Sequence, residues 1–186
     1  MTETAVRETL PTPFGGLTVV ASGETVLASC FGDPGWLVGR LEGIDGIDGL
    51  VIQNGRIAPT ISAAVTAYVA GAVGALDEVD VRQPGGPFRQ AAWRAMRAIP
   101  PGRTWSYARL AAEAGQPSAV RAAGSACARN LVAPFVPCHR VVRSDGSLGG
   151  YAYGLDVKRA LLAHESGVRW QEMKLHPLPP HTGGVG

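Results

Sequence analysis

Cys138 sits in the run Pro137-Cys138-His139-Arg140-Val141, and Glu165 follows 26 residues beyond His139 in Leu161-Leu162-Ala163-His164-Glu165. A free thiol is a weak nucleophile near neutral pH because most of it is protonated. An imidazole that takes the proton, itself oriented by a carboxylate, removes that limit. Cys138, His139 and Glu165 therefore have the residue types of an activated thiolate. The competing reading is a buried structural cysteine beside a surface histidine, and the Cys-His pair alone does not decide between them.

These residues must be held by the elements around them. Phe88 to Ala98 places Phe88, Ala92, Ala95 and Ile99 on one helical stripe, with Arg89, Arg94 and Arg97 elsewhere. Trp93 in this segment reads as core rather than as a base-stacking residue. Ser106 is a plausible N-cap for a helix from Tyr107 to Ala114, and Gly115 suits its stop. Ser118 is placed to cap a second helix, Ala119 to about Arg129. Two short helices joined around Gly115-Gln116-Pro117 make a helix-turn-helix pattern.

The second helix has an unusual composition, Arg121-Ala122-Ala123-Gly124-Ser125-Ala126-Cys127-Ala128. Helices that read the major groove usually present several long polar side chains to base edges. Small residues here suit either close approach to a narrow groove or tight helix packing, and the composition leaves both open.

Upstream, Leu17 to Ala21 and Thr25 to Cys30 are short β-rich runs around Ser22-Gly23-Glu24, the pattern of a hairpin. Residues 43–49 repeat Gly-Ile-Asp and read as an irregular loop. Ile61 to Val73 reads as a helix packed on that sheet. Pro84-Gly85-Gly86-Pro87 is the clearest punctuation. The expected organisation is α/β (α+β): an N-terminal α/β domain over 1–84, a mainly helical domain with a helix-turn-helix over 85–172, and a flexible Pro-, Gly- and His-rich tail over 173–186.

Composition narrows the class. With 46% hydrophobic residues the chain can bury a core, and it contains no apolar run long enough to span a membrane. Met1 to Leu10 lacks the apolar core of a secretory signal. Three widely spaced cysteines, Cys30, Cys127 and Cys138, fit free thiols in a reducing compartment, so a cytoplasmic location is expected, with no metal site. Net charge is +2, but residues 1–80 hold three Arg or Lys against ten Asp or Glu, whereas residues 81–186 hold fourteen against five. Such asymmetry points to a polyanion-binding C-terminal half, and a merely dipolar soluble protein remains the alternative.

Ordered pieces from Phe88 to Glu165 add a resemblance. They are Phe88-Arg89-Gln90 with Trp93, Ile99-Pro100-Pro101-Gly102, Ser106-Tyr107, Arg121-Ala122-Ala123-Gly124, Asn130, Pro137 to Val142, Gly149-Gly150-Tyr151, Gly154-Leu155, Lys158 and Leu161 to Glu165. In these residues the chain resembles the O6-alkylguanine-DNA alkyltransferases, which repair DNA by alkylating themselves. The resemblance implies a small N-terminal sheet-and-helix roll followed by a mainly helical domain with a winged helix-turn-helix. It implies Cys138 as the alkyl acceptor, His139 as its general base through a bridging water, Glu165 as the group orienting the imidazole, and Asn130 as a brace for the turn carrying the cysteine. A water suits adjacent residues whose side chains diverge.

The same resemblance assigns Arg121 to the gap left by an extruded nucleotide and places Ala122, Ala123 and Gly124 against DNA. Tyr107 would assist flipping and hydrogen-bond the base. Tyr107, Val141, Tyr151 and Ala152 would form the pocket. Double-stranded DNA, approached from the minor groove with little sequence preference, is the implied partner of a monomer, and no cofactor is implied because the lesion supplies the alkyl group. Two positions depart from the pattern. Ala152 stands where some relatives have serine, and Leu131 follows Asn130 where proline is common. Arg140 is either structural or phosphate-facing. The alternative functions are a non-enzymatic sensor of alkylated DNA, a transcriptional regulator and a cysteine hydrolase. The first lacks an acceptor cysteine, and the second uses a Cys-rich sensor that Cys30 alone cannot supply.

Overall fold

The computed structural model describes residues 3–42, 44, 47 and 49–167. Strands β1 (Thr4–Leu10), β2 (Leu17–Ser22) and β3 (Thr25–Phe31) are followed by helix α1 (Pro34–Leu41), strand β4 (Val51–Asn54) and helix α2 (Pro59–Val69). The chain continues through α3 (Pro87–Arg97), β5 (Trp105–Ser106), α4 (Tyr107–Glu113), α5 (Val120–Ala128), β6 (Val141–Val142) and α6 (Leu155–Glu165). The result is a mixed sheet with helices, an α+β fold.

The expected hairpin is present as β2 and β3, and Gly23 supplies the turn at φ 57°. The sheet order is β3-β2-β1-β4, with β1 antiparallel to β2 and parallel to β4. Strands β2 and β3 read as near-continuous apolar runs because both faces of the sheet are covered. Ile61, Val65 and Tyr68 of α2 share one core with Leu17, Val19 and Val26. Leu37 and Leu41 of α1 share the other with Val20, Leu27 and Cys30. Strands β1 and β4 and helix α1 are additions to the sequence reading.

Strand β1 is polar along most of its length. Its charged side chains are used locally: Arg7 Nη2 donates to Asn54 Oδ1 at 2.7 Å, and Glu8 accepts from the Ile57 N–H at 2.9 Å. Residues 44, 47 and 49 lie outside helices and strands, as expected for 43–49, while the rest of that loop and the expected tail over 173–186 fall outside the described residues.

The outer edge of β3 positions the second half. The Val26 N–H donates to Asp80 O and the Arg82 N–H to Val26 O, while the Ser29 N–H donates to Leu131 O at 2.7 Å and Ser29 Oγ to Ala133 O at 2.8 Å. The segment leading to Cys138 therefore rests on a sheet edge whose polar groups are occupied. Pro87 opens α3 at a position where its missing N–H costs nothing. Trp93 is core as expected, and its indole N–H donates to Ala126 O at 2.9 Å, tying α3 to α5. Ala92, Trp93, Phe135 and Leu161 belong to the same core as the sheet residues, so one apolar interior joins the two halves.

The helix-turn-helix is formed by α4 and α5. Ser106 Oγ accepts from the Arg109 N–H at 3.1 Å, the expected N-cap, and Gly115 takes φ 86° at the stop. Ser118 does not cap α5. The capping position is Ala119, with no side-chain bond to the helix N-terminus. Beside the two helices, β5 and β6 pair in parallel, Trp105 with Val141 and Ser106 with Val142.

Candidate active site

Cys138 begins a single 3-10 turn, Cys138–Arg140, between Pro137 and β6. The turn is fixed at its start by the Cys138 N–H donating to Val136 O and by the Arg140 N–H donating to Pro137 O, both at 2.9 Å. Asn130, just past α5, reaches it from below. Asn130 Nδ2 donates to Val136 O at 2.7 Å and lies 3.2 Å from the Cys138 sulfur. Asn130 thus bonds to the backbone just before the cysteine turn, and it also touches the thiol. Cys138 is 7% exposed. Burial pushes its thiol pKa up, against the lowering influence of the Asn130 amide and the Lys158 ammonium. The resting sulfur is a neutral thiol beside groups that favour its anion.

His139 is fully buried, with Nε2 2.8 Å from Glu165 Oε1. Burial would raise the carboxyl pKa, but contacts with His139 and Arg140 more than reverse that and hold Glu165 below the usual carboxylate range. An ionised Glu165 only accepts, so Nε2 carries the proton and Nδ1 has the free lone pair. His139 Nδ1 has no hydrogen-bond partner among the described residues. Burial lowers the imidazole pKa, outweighing the opposite pull of Glu165. The pair is a neutral imidazole oriented by a carboxylate.

Three further hydrogen bonds, from two residues, hold Glu165. Arg140 donates through Nε to Oε2 at 2.9 Å and through Nη2 to Oε1 at 3.0 Å, and Tyr68 Oη donates to Oε1 at 2.9 Å. Arg140 is 1% exposed and also donates to Ile99 O at 2.7 Å, which makes it structural and takes it away from any phosphate. Helix α6 delivers Glu165 on its last turn. Gly102 packs on that turn at φ +75°, where an added Cβ would lie 3.0 Å from Glu165 O.

A cavity of about 300 Å³ opens over the sulfur. Of the residues expected around it, Tyr107, Gly124, Asn130, Cys138, Tyr151 and Ala152 line its wall. Val141 does not; its side chain is wholly buried in the core. Within α5, Arg121 is exposed, Ala122 is half-buried, and Ala123 faces the core rather than the outside. Tyr107 is half-buried at the start of α4, and burial raises its hydroxyl to about 12, so it is a neutral phenol. Gly149 takes φ +70° against it, where an added Cβ would lie 2.8 Å from the Tyr107 hydroxyl.

The loop over the cavity is clasped from beneath. Lys158, wholly buried, donates to the carbonyls of Val141 (2.6 Å), Leu148 and Gly150 (3.3 Å), and burial lowers its pKa to about 8. Tyr153 closes the far side, its ring edge-on to Tyr151 at 5.3 Å and its hydroxyl donating to Ser29 O at 3.2 Å. Sequence reasoning missed Tyr153 and Cys127 as wall residues, and Tyr68 as a partner of Glu165. Lys158 and Glu165 lie on the same buried stripe of α6 as Leu161, and polar residues on an apolar stripe are a readable signal.

The profile described as "6-O-methylguanine DNA methyltransferase, DNA binding domain" matches residues 87–167. A methylated-DNA–protein-cysteine methyltransferase of Methanosarcina acetivorans is 40% identical over 114 residues, covering 61% of this chain and 72% of that protein. The chain belongs to the methylated-DNA–protein-cysteine methyltransferase family. The family member from Salmonella typhimurium is 44% identical over 98 residues, and the match spans 53% of this chain and 57% of the relative, little more than half its length. Among solved structures, a Mycobacterium tuberculosis OGT in complex with DNA superposes with a TM-score of 0.72 at 29% identity, over 92% of this chain and 99% of that one.

Proposed function

We propose that this chain repairs DNA by taking the alkyl group of O6-methylguanine, and of O4-methylthymine, from duplex DNA onto Cys138. The observation that carries the reading is the Cys138 sulfur on a cavity wall, touched by the Asn130 amide and followed in sequence by the buried His139–Glu165 pair. The family name and a relative solved with DNA support it. The basic C-terminal half and the small-residue face of α5 support duplex DNA, entered from the minor groove with little sequence preference, as the partner of a monomer. A cytoplasmic location agrees with the free cysteines.

The O6 atom lies inside the paired stack, so the nucleotide must turn out into the cavity, with exposed Arg121 taking its place in the duplex. The Cys138 proton passes to His139 Nδ1, through a water where the side chains diverge, and the thiolate attacks the alkyl carbon. The carbon–oxygen bond breaks with its electron pair going to O6, and the base takes up a proton and is restored. Glu165 offsets the charge on the imidazolium, and Asn130 donates to the developing thiolate. Tyr107, protonated at neutral pH, offers a hydroxyl to the base. A thioether has no easy leaving group, so each molecule reacts once. No cofactor enters, because the lesion is the donor.

Intact-protein mass spectrometry after incubation with a duplex containing one O6-methylguanine tests this. One added methyl on the Cys138 peptide, absent in Cys138→Ala, is expected. Tight lesion binding without a mass change would move the protein to the damage-sensor class, and product exceeding protein severalfold would refute single turnover.

A further inference from the structure

Gln83, in the segment that joins the sheet half to the helical half, is the one polar side chain of that segment buried beside the site, at 6% exposure among the described residues. Its amide is held at both ends. Oε1 accepts from the Leu131 N–H at 2.8 Å, and Nε2 donates to Asn130 Oδ1 at 3.1 Å. Its backbone is held as well, since Gln90 Nε2 of α3 donates to Gln83 O at 2.7 Å. The Leu131 N–H is what fixes the orientation of the Gln83 amide. A proline at that position would have no such donor.

We propose that Gln83 is a positioning residue for Cys138, acting through Asn130 by holding and polarising the amide that faces the sulfur. Asn130 Oδ1 accepts two donors, Gln83 Nε2 and the Val132 N–H at 3.1 Å, which leaves Nδ2 to face Val136 O and Cys138 Sγ. Val132 and Val136 are close in sequence to Asn130, so they set which end of the amide points where. Among the described residues Gln83 is the only side-chain donor to Oδ1, and it comes from the segment that joins the two halves. A donor at Oδ1 draws electron density from the amide and makes its N–H a better donor to a thiolate. Four groups in series, Gln90, Gln83, Asn130 and Cys138, thus connect α3 to the sulfur.

The inference rests on Cys138 being the acceptor, and the first arm of its test needs no DNA. Iodoacetamide alkylation of Cys138, followed by peptide mass spectrometry across a pH series, reads the apparent thiol pKa of the full chain. Gln83→Leu is expected to raise that pKa by about half a unit, a roughly threefold loss of thiolate at any pH below both values. The discriminating arm is Asn130→Ala. If Gln83 acts through Asn130, Gln83→Leu adds no shift in the Asn130→Ala background. Transfer from an O6-methylguanine duplex should slow by the same roughly threefold factor with duplex affinity unchanged. Should Gln83→Leu not fold, Gln83→Met fills the same space without a donor and carries the same comparison. An unshifted pKa in a folded Gln83 variant overturns the proposal, as does a shift that persists in full without the Asn130 side chain. A shifted pKa with no methyl transfer in any variant, wild type included, would uphold Gln83 and sink the repair reading instead.

Discussion

Arg140 and Glu165 meet at two points inside the protein, Nε to Oε2 at 2.9 Å and Nη2 to Oε1 at 3.0 Å, and the same carboxylate receives His139 at 2.8 Å. The guanidinium thereby fixes the rotation of the carboxylate that orients the base. Its charge is shared with Asp77, 3.6 Å away and partly exposed.

Removing one member of a buried pair strands the other. Arg140→Met should destabilise the fold by roughly 3–5 kcal/mol, because Glu165 keeps its charge without its guanidinium partner. The double variant Arg140→Met, Glu165→Gln removes both charges and should be the milder of the two. Urea unfolding decides it: a single variant as stable as the double would show that the pair does not carry this energy.

Acid should weaken both stability and transfer. The folded pKa of His139 lies below its ordinary 6.5 and that of Glu165 below its ordinary 4.5. At such groups the unfolded chain binds protons that the folded chain refuses. Their stabilisation is therefore complete above 6.5 and 4.5 respectively, and is lost as pH falls from each value toward the depressed folded one. On the acid side transfer first meets the titration of His139: the neutral imidazole persists below pH 6.5, so the single-turnover rate should hold through that value and fall only in more acid solution. A rate profile with its acid midpoint at or above 6.5 would contradict the buried neutral base.

Gly149 and Tyr107 are packed too closely for a side chain between them. Gly149→Ala would place a Cβ 2.8 Å from the Tyr107 hydroxyl, at a φ of +70° that itself costs an alanine roughly 1–2 kcal/mol. Displacing the phenol should slow transfer about tenfold, equivalent to roughly 1.4 kcal/mol in the barrier. Alkylation of Cys138 by iodoacetamide should be unaffected. An equal loss in both reactions would point to general unfolding of the loop rather than to Tyr107.

What the sequence made legible was the periodic and the local. The hairpin around Gly23, the α3 stripe from Phe88 to Ala95 and the Ser106 cap depend on neighbours within a few residues. Strand β1 was hidden because its charges, Arg7 and Glu8, are satisfied by Asn54 and the Ile57 N–H, partners more than forty positions away. Cys138, His139, Glu165 and Asn130 were named through motif and resemblance, and the geometry brings them together. Ala123 and Val141 were named from the same motifs, but a motif does not say which way a side chain turns, and both face the core. Tyr68 lay unremarked within the helix expected over Ile61 to Val73, since nothing local reveals where its hydroxyl goes. Gln83 sits in an aperiodic stretch before a proline, and its partners exist only once the chain is folded.

Arg121 offers a test of base extrusion that is separate from chemistry at sulfur. It is exposed on α5 while Ala123, two residues on, is wholly buried, so the side chain projects away from the core. If it fills the gap left by the lesion, it lowers the cost of unstacking, a few kcal/mol for a paired nucleotide. Arg121→Ala should then slow transfer strongly from a fully paired duplex. The same lesion opposite an abasic site has no pairing to break, and there the loss should shrink. Alkylation of Cys138 by iodoacetamide should not change, because exposed Arg121 is not among the residues lining the cavity over the sulfur. Equal losses on the paired and the abasic duplex would instead assign Arg121 to phosphate binding, whose signature is a flatter dependence of affinity on salt.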